Sequence, residues 1–547
     1  MQLSTENNIK FGMTFSQGII NYNTNNKKNI FEEIITAHNI EEDDNLSKDE
    51  KTRLLNLLNS DINPFEKRLR IMRSLDKEKD FSSKIALILQ KKLSKMEMVQ
   101  EILTIFRDEY TKKDILKKDF GEVLTPFFMV KEMISQVDEE FWNSPYDENG
   151  NIKTILETSN GSGIFLWCVV YKFMYGLRTH FIDEDERYKF IIENMIYACE
   201  LQNSKMFNWL CTADLYDEYD LNVYCGSYLE NGFDIHMREV WGVDRFSLCV
   251  SNPPYQETIE GSKRARPIYN EFIEKSIEFS DKILFITPSR WLAGGFGLDN
   301  FRNMMFSRND IKLIRHFDDA TKIFGNSVEI KGGVSYFMID KKHNGLVNID
   351  GKISKLNKYD IFVDLKYYNL LDKILENMNN SLKSISKSKS FWMNFNDNEL
   401  DNIKSDSNIL CYVSKNKGLK KYINPDELSG SSRNLIDKFK VFTPYAAGSS
   451  NNLGNFGNKI IGYPNEVCSN TYMTLLTNSE NESKSLISYM NTKFCNFFLS
   501  LRKNTQNMKP DTFKWIPLVE LDRQWTDDLL FEYFNLTEEE QELILQK

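Results

Sequence analysis

The stretch "TILETSNGSGIFLWCVV", residues 154–170, has the order of a buried strand, a glycine turn and an apolar helix. Glu157 closes the strand candidate, Gly161 and Gly163 supply the turn, and apolar residues follow from Ile164 onward. Glycines allow positive φ and let the backbone approach a ligand closely. In an open α/β sheet, ligands bind at the carboxyl ends of the strands. The stretch therefore predicts either a ligand-binding turn or a purely structural strand-to-helix connection.

Apolar segments of strand length alternate with helical segments across residues 116–345. They include "MIYACEL", "NVYCGSYL", "FSLCVSN", "KILFITPS", "IKLIRHFD" and "VSYFMID". Strands that alternate with helices are typical of a doubly wound α/β sheet. We therefore predict an α/β domain over residues 116–345.

The two flanking regions have different patterns. In residues 1–115, segments such as "NPFEKRLRIMRSL" place apolar residues three and four apart, which predicts an N-terminal helical region. In residues 346–547, amphipathic helical segments mix with turn-rich segments such as "KVFTPYAAGSSNNLGNFGNKIIGYP", which predicts a mixed α+β region.

The composition is that of a globular chain with an uneven charge. The 547 residues are 41% hydrophobic and carry a net charge of −10, which argues mildly against nucleic acid as a partner. Residues 379–440 nevertheless hold eleven Lys and Arg against seven Asp and Glu. A basic face on an acidic protein and a solvated lysine-rich surface are both compatible with these counts.

The sequence gives no sign of a membrane segment, a secretion signal or a metal site. No run of about 18 apolar residues is present, and the first residues lack an apolar signal segment. The eight cysteines form no Cys-x-x-Cys pair and no zinc-like spacing with the five histidines. We expect buried thiols in a reducing, cytoplasmic compartment, with no metal and no membrane partner.

Glu200 ends a second strand candidate about 40 residues after the glycine turn. An acidic residue at this position suits a ribose diol, which offers two hydroxyl donors. Glu157 before the turn suits an ammonium group better than a phosphate. The alternative for Glu200 is an exposed carboxylate at a helix start. Together the two carboxylates predict a nucleoside ligand with a positive group, a description that fits S-adenosylmethionine.

The stretch "FSLCVSNPPYQ", residues 246–256, ends a later strand with two adjacent prolines. Proline fixes φ and has no N–H, so the pair holds a rigid extended turn. Asn252 and the Pro253 carbonyl would then offer two acceptors to one amino group, and Tyr255 would stack on a base flipped out of a duplex. The alternative is a strand-ending turn with a packed tyrosine.

In this order the motifs resemble those of adenine-specific DNA methyltransferases of restriction–modification systems, in the gamma arrangement. "FGEVLTPFFMVKEMI" is similar to the N-terminal cofactor motif of that family, "LETSNGSGIF" to its glycine motif and "SNPPY" to its catalytic loop. The resemblance covers residues from about 120 to the end and thins between 350 and 435. It implies a Rossmann-like methyltransferase fold, S-adenosylmethionine as cofactor, double-stranded DNA as partner and a target-recognition domain within residues 346–547.

The resemblance also implies roles for particular residues. The implied catalytic residues are Asn252, Pro253, Pro254 and Tyr255. The implied cofactor-binding residues are Thr125, Pro126, Glu157, Ser159, Gly161, Gly163, Phe165, Glu200 and Ser227. Two positions depart from the family pattern, because Glu157-Thr158 stands where Asp-Pro is usual, and Ser227 where an Asp is frequent.

Candidate DNA contacts follow the catalytic loop. Lys263, Arg264 and Arg266 in "GSKRARPIY" would lie near the phosphates of the flipped strand, or else form an exposed basic loop. Phe324 is a candidate to flank the flipped base, with core packing as the alternative.

Other functions use the same loop or the same fold. Enzymes that methylate cytosine amino groups or glutamine side chains share the tetrapeptide, although glutamine enzymes are usually shorter. A non-catalytic DNA-binding protein would not need an intact loop. The N-terminal helices show no metal-binding carboxylate cluster of a nuclease, so no DNA cleavage is predicted, and they could instead bind a partner protein.

Overall fold

The computed structural model describes two compact units, residues 1–356 and 357–547. The residues that it describes are 31, 34–36, 40–41, 46–75, 81–109, 124–258, 265–293, 295, 297–325, 330, 332–391, 400, 402–413, 420–428, 433–448, 454–503 and 506–546. Each unit has its own hydrophobic core.

Amphipathic helices precede the sheet in the first unit, as the spacing of apolar residues predicts. They are α1 (Lys48–Leu58), α2 (Pro64–Leu75), α3 (Phe81–Leu89) and α4 (Lys95–Glu109). A capping box starts α1, because Ser47 accepts from the Glu50 N–H and the Glu50 carboxylate accepts from the Ser47 N–H. The buried residues of these helices share one core with the helices of the α/β region.

Nine strands of the described chain form the central sheet, and two more form a hairpin. The strands of this unit are β1 (Ile155–Glu157), β2 (Ile196–Glu200), β3 (Asn222–Cys225), β4 (Leu248–Ser251), β5 (Gln256–Thr258), β6 (Ala265–Pro267), β7 (Lys282–Pro288), β8 (Ile311–Phe317), β9 (Val334–Asp340), β10 (Val347–Ile349) and β11 (Lys352–Ser354). The hairpin is β5–β6.

The order across the large sheet is β11-β10-β8-β9-β7-β4-β1-β2-β3. Strand β1 pairs in parallel with β2 on one side and with β4 on the other, whereas β9 is antiparallel to both of its neighbours. The chain order thus reverses at β1, and the predicted doubly wound α/β fold is confirmed. Ligands of such sheets bind outside the strand ends at this reversal.

Helices cover the sheet. They are α5 (Phe127–Ile134), α6 (Glu139–Trp142), α7 (Ile164–Gly176), α8 (Glu184–Asn194), α9 (Asn203–Ala213), α10 (Asn231–Ile235), α11 (Tyr269–Phe279), α12 (Arg290–Ala293), α13 (Asp299–Phe306) and α14 (Thr321–Phe324), with a π-helical turn at His236–Val240. Helix α7 is apolar on most of its circumference because it packs against α4, α5 and α8 as well as within the core.

The second unit is a mixed α+β structure, as predicted. Its strands are β12 (Ser386–Ser388), β13 (Ile409–Tyr412), β14 (Lys420–Ile423), β15 (Phe439–Pro444), β16 (Ile460–Gly462), β17 (Glu466–Cys468) and β18 (Tyr472–Thr477). They form one sheet in the order β12-β18-β15-β16 and another in the order β14-β13-β17. Its helices are α15 (Tyr368–Glu376), α16 (Leu382–Ile385), α17 (Glu480–Asn491), α18 (Lys493–Arg502), α19 (Asp527–Tyr533) and α20 (Glu538–Leu545).

Short 3₁₀ turns complete the two units. They lie at Leu177–Thr179, Leu356–Lys358, Leu365–Tyr367, Pro425–Glu427, Arg433–Leu435 and Pro510–Phe513. Among the helices of the described ranges, none is both long and apolar enough to cross a membrane.

Candidate active site

A cavity of about 670 Å³ opens at the carboxyl ends of β1, β2 and β4, where the strand order reverses. Six separate segments of the described chain line it, and most of the predicted site residues are among them. The catalytic candidates Asn252, Pro253, Pro254 and Tyr255 and the cofactor candidates Thr125, Glu157, Ser159, Gly161, Phe165, Glu200 and Ser227 all border this cavity.

Glu157 presents a buried carboxylate to the cavity. Its side chain is 2% exposed, and its Oε2 atom has no hydrogen-bond partner among the described residues. Burial, and then the nearby charge of Glu200, raise the pKa of Glu157 well above the ordinary range of a glutamic acid. A buried carboxylate with an open acceptor suits a ligand that carries a positive group, because the ligand would supply the missing partner.

Glu200 is tied to the glycine turn. Its Oε2 accepts from the Gly161 N–H at 2.8 Å, and its Oε1 accepts from the Gln202 N–H at 2.9 Å. The two backbone bonds fix the carboxylate in place at the cavity wall. A carboxylate oxygen can accept more than one hydrogen bond, so this group is chemically suited to the hydroxyls of a diol.

Gly163 is required by the packing beneath the turn. Its φ is +79°, and a Cβ at this position would come within 2.7 Å of the Trp209 ring. Gly163 does not line the cavity and is the N-cap residue of α7. It shapes the turn, whereas Gly161 borders the cavity itself.

The catalytic loop leaves β4 directly beside β1. Val250 is the register partner of Glu157, so the loop after β4 and the turn after β1 start side by side. Pro253 is buried, Pro254 is exposed, and Asn252 and Tyr255 are partly buried. Burial raises the pKa of Tyr255 despite the opposing effect of the nearby Asn252 side chain, so the phenol remains neutral at physiological pH.

Some predicted residues lie elsewhere. Pro126 is buried at the start of α5 and does not border the cavity. Arg266 forms ion pairs with Glu257 and Glu271, and its side chain is half exposed. Lys263 and Arg264 lie outside the described residues.

The structure corrects the prediction that Phe324 flanks a flipped base. Its side chain is fully buried in the core of the first unit, so it has no open face for a base. The alternative of core packing describes it correctly.

The cavity also contains residues that the sequence prediction missed. Asn160 has both side-chain polar atoms buried without a hydrogen-bond partner in the described structure. Leu201 is 67% exposed beside Glu200 and presents an apolar surface to the cavity. Lys205, Tyr228 and Phe272 also line the cavity. In the sequence, Asn160 follows Glu157 by three residues and Leu201 directly follows Glu200. This proximity to the two carboxylates could have predicted both residues.

Comparison with known proteins gives matches in sequence and in structure. Residues 228–324 match the family model Eco57I restriction-modification methylase. An uncharacterized adenine-specific methylase of Mycoplasma pneumoniae is 28% identical over 319 residues, which are 56% of this chain and 69% of the relative.

Solved structures resemble the chain at low sequence identity. A nuclease-deletion mutant of the Type ISP restriction-modification enzyme LlaGI, in complex with a DNA substrate mimic, matches with a TM-score of 0.45 and 13% identity, over 94% of this chain and 64% of that one. A putative class I S-adenosylmethionine-dependent methyltransferase from Listeria monocytogenes matches with a TM-score of 0.33 and 12% identity, over 68% of this chain and 99% of that one.

The reversal of strand order at β1 and the Asn-Pro-Pro-Tyr loop at the end of β4 meet at the same cavity, as the resemblance to methyltransferases predicts. The matched segment, residues 228–324, contains that loop. Both sequence matches confirm the predicted resemblance to restriction–modification methyltransferases, because one is the Eco57I family model and the other is a relative described as an adenine-specific methylase.

Proposed function

We propose that this chain transfers a methyl group from S-adenosylmethionine to the exocyclic amino group of an adenine flipped out of duplex DNA. The chain is an enzyme, an adenine-specific DNA methyltransferase. The observation that carries the proposal is that the Asn252–Tyr255 loop opens into the same cavity as Glu157 and Glu200. A donor held by the carboxylates and an acceptor held by the loop would therefore meet in one cavity.

The residues of the cavity suit S-adenosylmethionine. Glu157 would accept from its ammonium group, and the Glu200 carboxylate would accept from the ribose hydroxyls. Leu201 would pack against the adenine ring of the cofactor. The cofactor supplies an electrophilic methyl on a positive sulfur, and burial of Glu157 keeps the balancing charge away from water.

Asn252 and the carbonyl of Pro253 would act on the target amino group. An aromatic amine is a poor nucleophile because its lone pair is delocalised into the ring. Two acceptors on its two hydrogens favour the pyramidal form, in which the lone pair is available. The proline pair holds the loop rigid so that little reorganisation is needed at the moment of transfer. Tyr255 would stack on the flipped base.

The second unit would recognise the DNA sequence. Exposed lysines between residues 379 and 440, such as Lys387, Lys404 and Lys438, would provide phosphate contacts on an otherwise acidic chain, whereas Lys440 is fully buried. Arg266 would contribute a phosphate contact next to the catalytic loop if DNA displaced Glu257 or Glu271. Cytosine methylation is the less favoured alternative, because the matched relative is described as adenine-specific.

Product analysis tests the proposal. The purified chain is incubated with S-adenosylmethionine and duplex DNA of mixed sequence, and the DNA is digested to nucleosides and analysed by mass spectrometry. We expect N6-methyladenine. N4-methylcytosine would show the alternative substrate, and an absence of any methylated nucleoside would contradict the proposed function.

A further inference from the structure

Three hydroxyl groups connect the glycine turn to the catalytic loop. The Thr158 hydroxyl donates to the Ser251 hydroxyl at 2.8 Å, and the hydroxyls of Ser251 and Ser159 lie 3.0 Å apart. The Ser159 hydroxyl donates to the backbone carbonyl of Asn252 at 3.4 Å. If Ser251 donates to Ser159, the three hydrogens point in one direction, and the chain ends on the residue that would hold the target amine.

The sheet brings these residues together. Strands β1 and β4 are parallel neighbours with Glu157 opposite Val250, so the residues just beyond each strand end also face each other. Thr158 follows Glu157 directly, and Ser251 is the last residue of β4. The Ser251 hydroxyl therefore sits on a strand of the sheet, and the Thr158 hydroxyl sits on the residue that directly follows a strand.

Burial makes the hydrogen bonds between these hydroxyls energetically significant. Thr158 is 2% exposed and Ser251 is fully buried, so water has little access to either hydroxyl. Inside a protein, a chain of hydrogen bonds is stronger than in water, and a buried hydroxyl that loses its partner is costly. A small shift of the glycine turn would therefore be passed to the backbone at Asn252 rather than absorbed by solvent.

We propose that Thr158 and Ser251 are positioning residues, which set the carbonyl and side chain of Asn252 according to the state of the cofactor turn. This inference rests on the proposed function, because it assigns the coupling of cofactor binding to the methyl-transfer step. It predicts that breaking the chain lowers the rate of transfer while leaving cofactor affinity nearly unchanged.

The test compares Thr158→Val, Ser251→Ala and the double variant. Single-turnover transfer of tritiated methyl groups to duplex DNA gives the rate, and calorimetry gives the Kd for S-adenosylmethionine. We expect each single variant to lose about 10- to 100-fold in rate, because a small misplacement at a reacting centre has effects of this size. The double variant should lose no more than the worse single variant, because both changes break the same chain. Thr158→Ser, which keeps the hydroxyl, should recover most of the rate.

Thr154→Val is the matched control. The Thr154 hydroxyl is also buried and donates to the Arg245 carbonyl at 3.4 Å, but it lies at the opposite end of β1 from the cavity. This variant should transfer methyl groups at the wild-type rate. Circular dichroism and thermal unfolding check that every variant is folded, and Ser159→Ala breaks the last link if Thr158→Val does not fold.

Three results would overturn the inference. The first is an unchanged transfer rate in Thr158→Val. The second is a loss of rate in the double variant that equals the product of the losses in the two single variants. The third is a weakened affinity for S-adenosylmethionine that accounts for the whole loss of rate. Failure of the wild-type chain to methylate DNA would instead contradict the proposed function, so the two failures are distinguishable.

Discussion

The backbone N–H of Gly161 donates a hydrogen bond of 2.8 Å to the carboxylate of Glu200. The bond lies at the carboxyl ends of two adjacent parallel strands, β1 and β2. The bond joins the two sequence features that predicted a nucleoside ligand, although 39 positions separate them. Glu200 thus orders the glycine turn and also borders the cavity.

Replacement of Glu200 by alanine should weaken S-adenosylmethionine binding. The variant loses the acceptor for the ribose hydroxyls and releases the Gly161 N–H, so we expect a loss of about 1.5–3 kcal/mol in binding free energy. Calorimetry on the folded variant measures it. Glu140→Ala, which removes an exposed carboxylate outside the cavity, is the control and should bind like wild type. Unchanged affinity in Glu200→Ala would remove Glu200 from the site.

Cofactor affinity should depend on pH through Glu157. An ordinary glutamic acid has a pKa of about 4.3. Because the pKa of Glu157 is raised well above this value, its carboxyl stays protonated to a higher pH in the empty cavity. Affinity for a positively charged cofactor should therefore fall as pH falls through that raised pKa, and binding near it should release a proton.

Calorimetry in buffers of different ionisation enthalpy measures the proton release. Glu157→Gln should bind more weakly at high pH and should show neither the proton release nor this pH dependence. A Kd for the wild type that stays constant down to the ordinary glutamic acid range would contradict the role of Glu157 as the ionised partner.

Gly163→Ala should destabilise the protein more than Gly150→Ala. Both glycines have positive φ, +79° and +83°, but only at Gly163 would the added Cβ meet a ring, whereas the space around Gly150 is open. We expect a loss of about 2–4 kcal/mol in the free energy of unfolding for Gly163→Ala and about 1 kcal/mol for Gly150→Ala. Urea unfolding measures both, and equal losses would show that backbone strain alone explains the glycine.

DNA binding should weaken with salt. If about five phosphates are contacted, affinity should fall by roughly 10²–10³-fold between about 50 and 200 mM salt. Fluorescence anisotropy with a labelled duplex and bound cofactor measures this. Absence of binding even at low salt would remove the support for DNA as the partner.

The sequence predicted the parts of the site that depend on local pattern. The strand-turn-helix stretch, Glu200 and the proline pair each stand at a strand end, and the carboxyl ends of parallel strands converge at one edge. The contact between Thr158 and Ser251 was not predictable in this way, because it depends on β1 and β4 being neighbours, which the order along the chain does not reveal.

Other differences have similar causes. The sequence does not distinguish Phe324 from an exposed aromatic residue of a loop. Its burial depends on the core that residues of β8 and β9 form beside it. The ion pairs of Arg266 depend on the β5–β6 hairpin and on the start of α11. Short strands β10 and β11 extend the large sheet, so the first unit continues to Leu356 rather than ending near residue 345.

The central claim is that Asn252 acts on the target amino group, and its most direct test is the methyl-transfer rate of Asn252→Ala. Tritiated methyl transfer to duplex DNA is measured under single-turnover conditions, with cofactor affinity measured in parallel. Loss of one pre-placed polar group should lower the rate by about 10²–10³-fold while the cofactor still binds. Transfer by Asn252→Ala at the wild-type rate would show that the Asn-Pro-Pro-Tyr segment is only a turn and would contradict the mechanism.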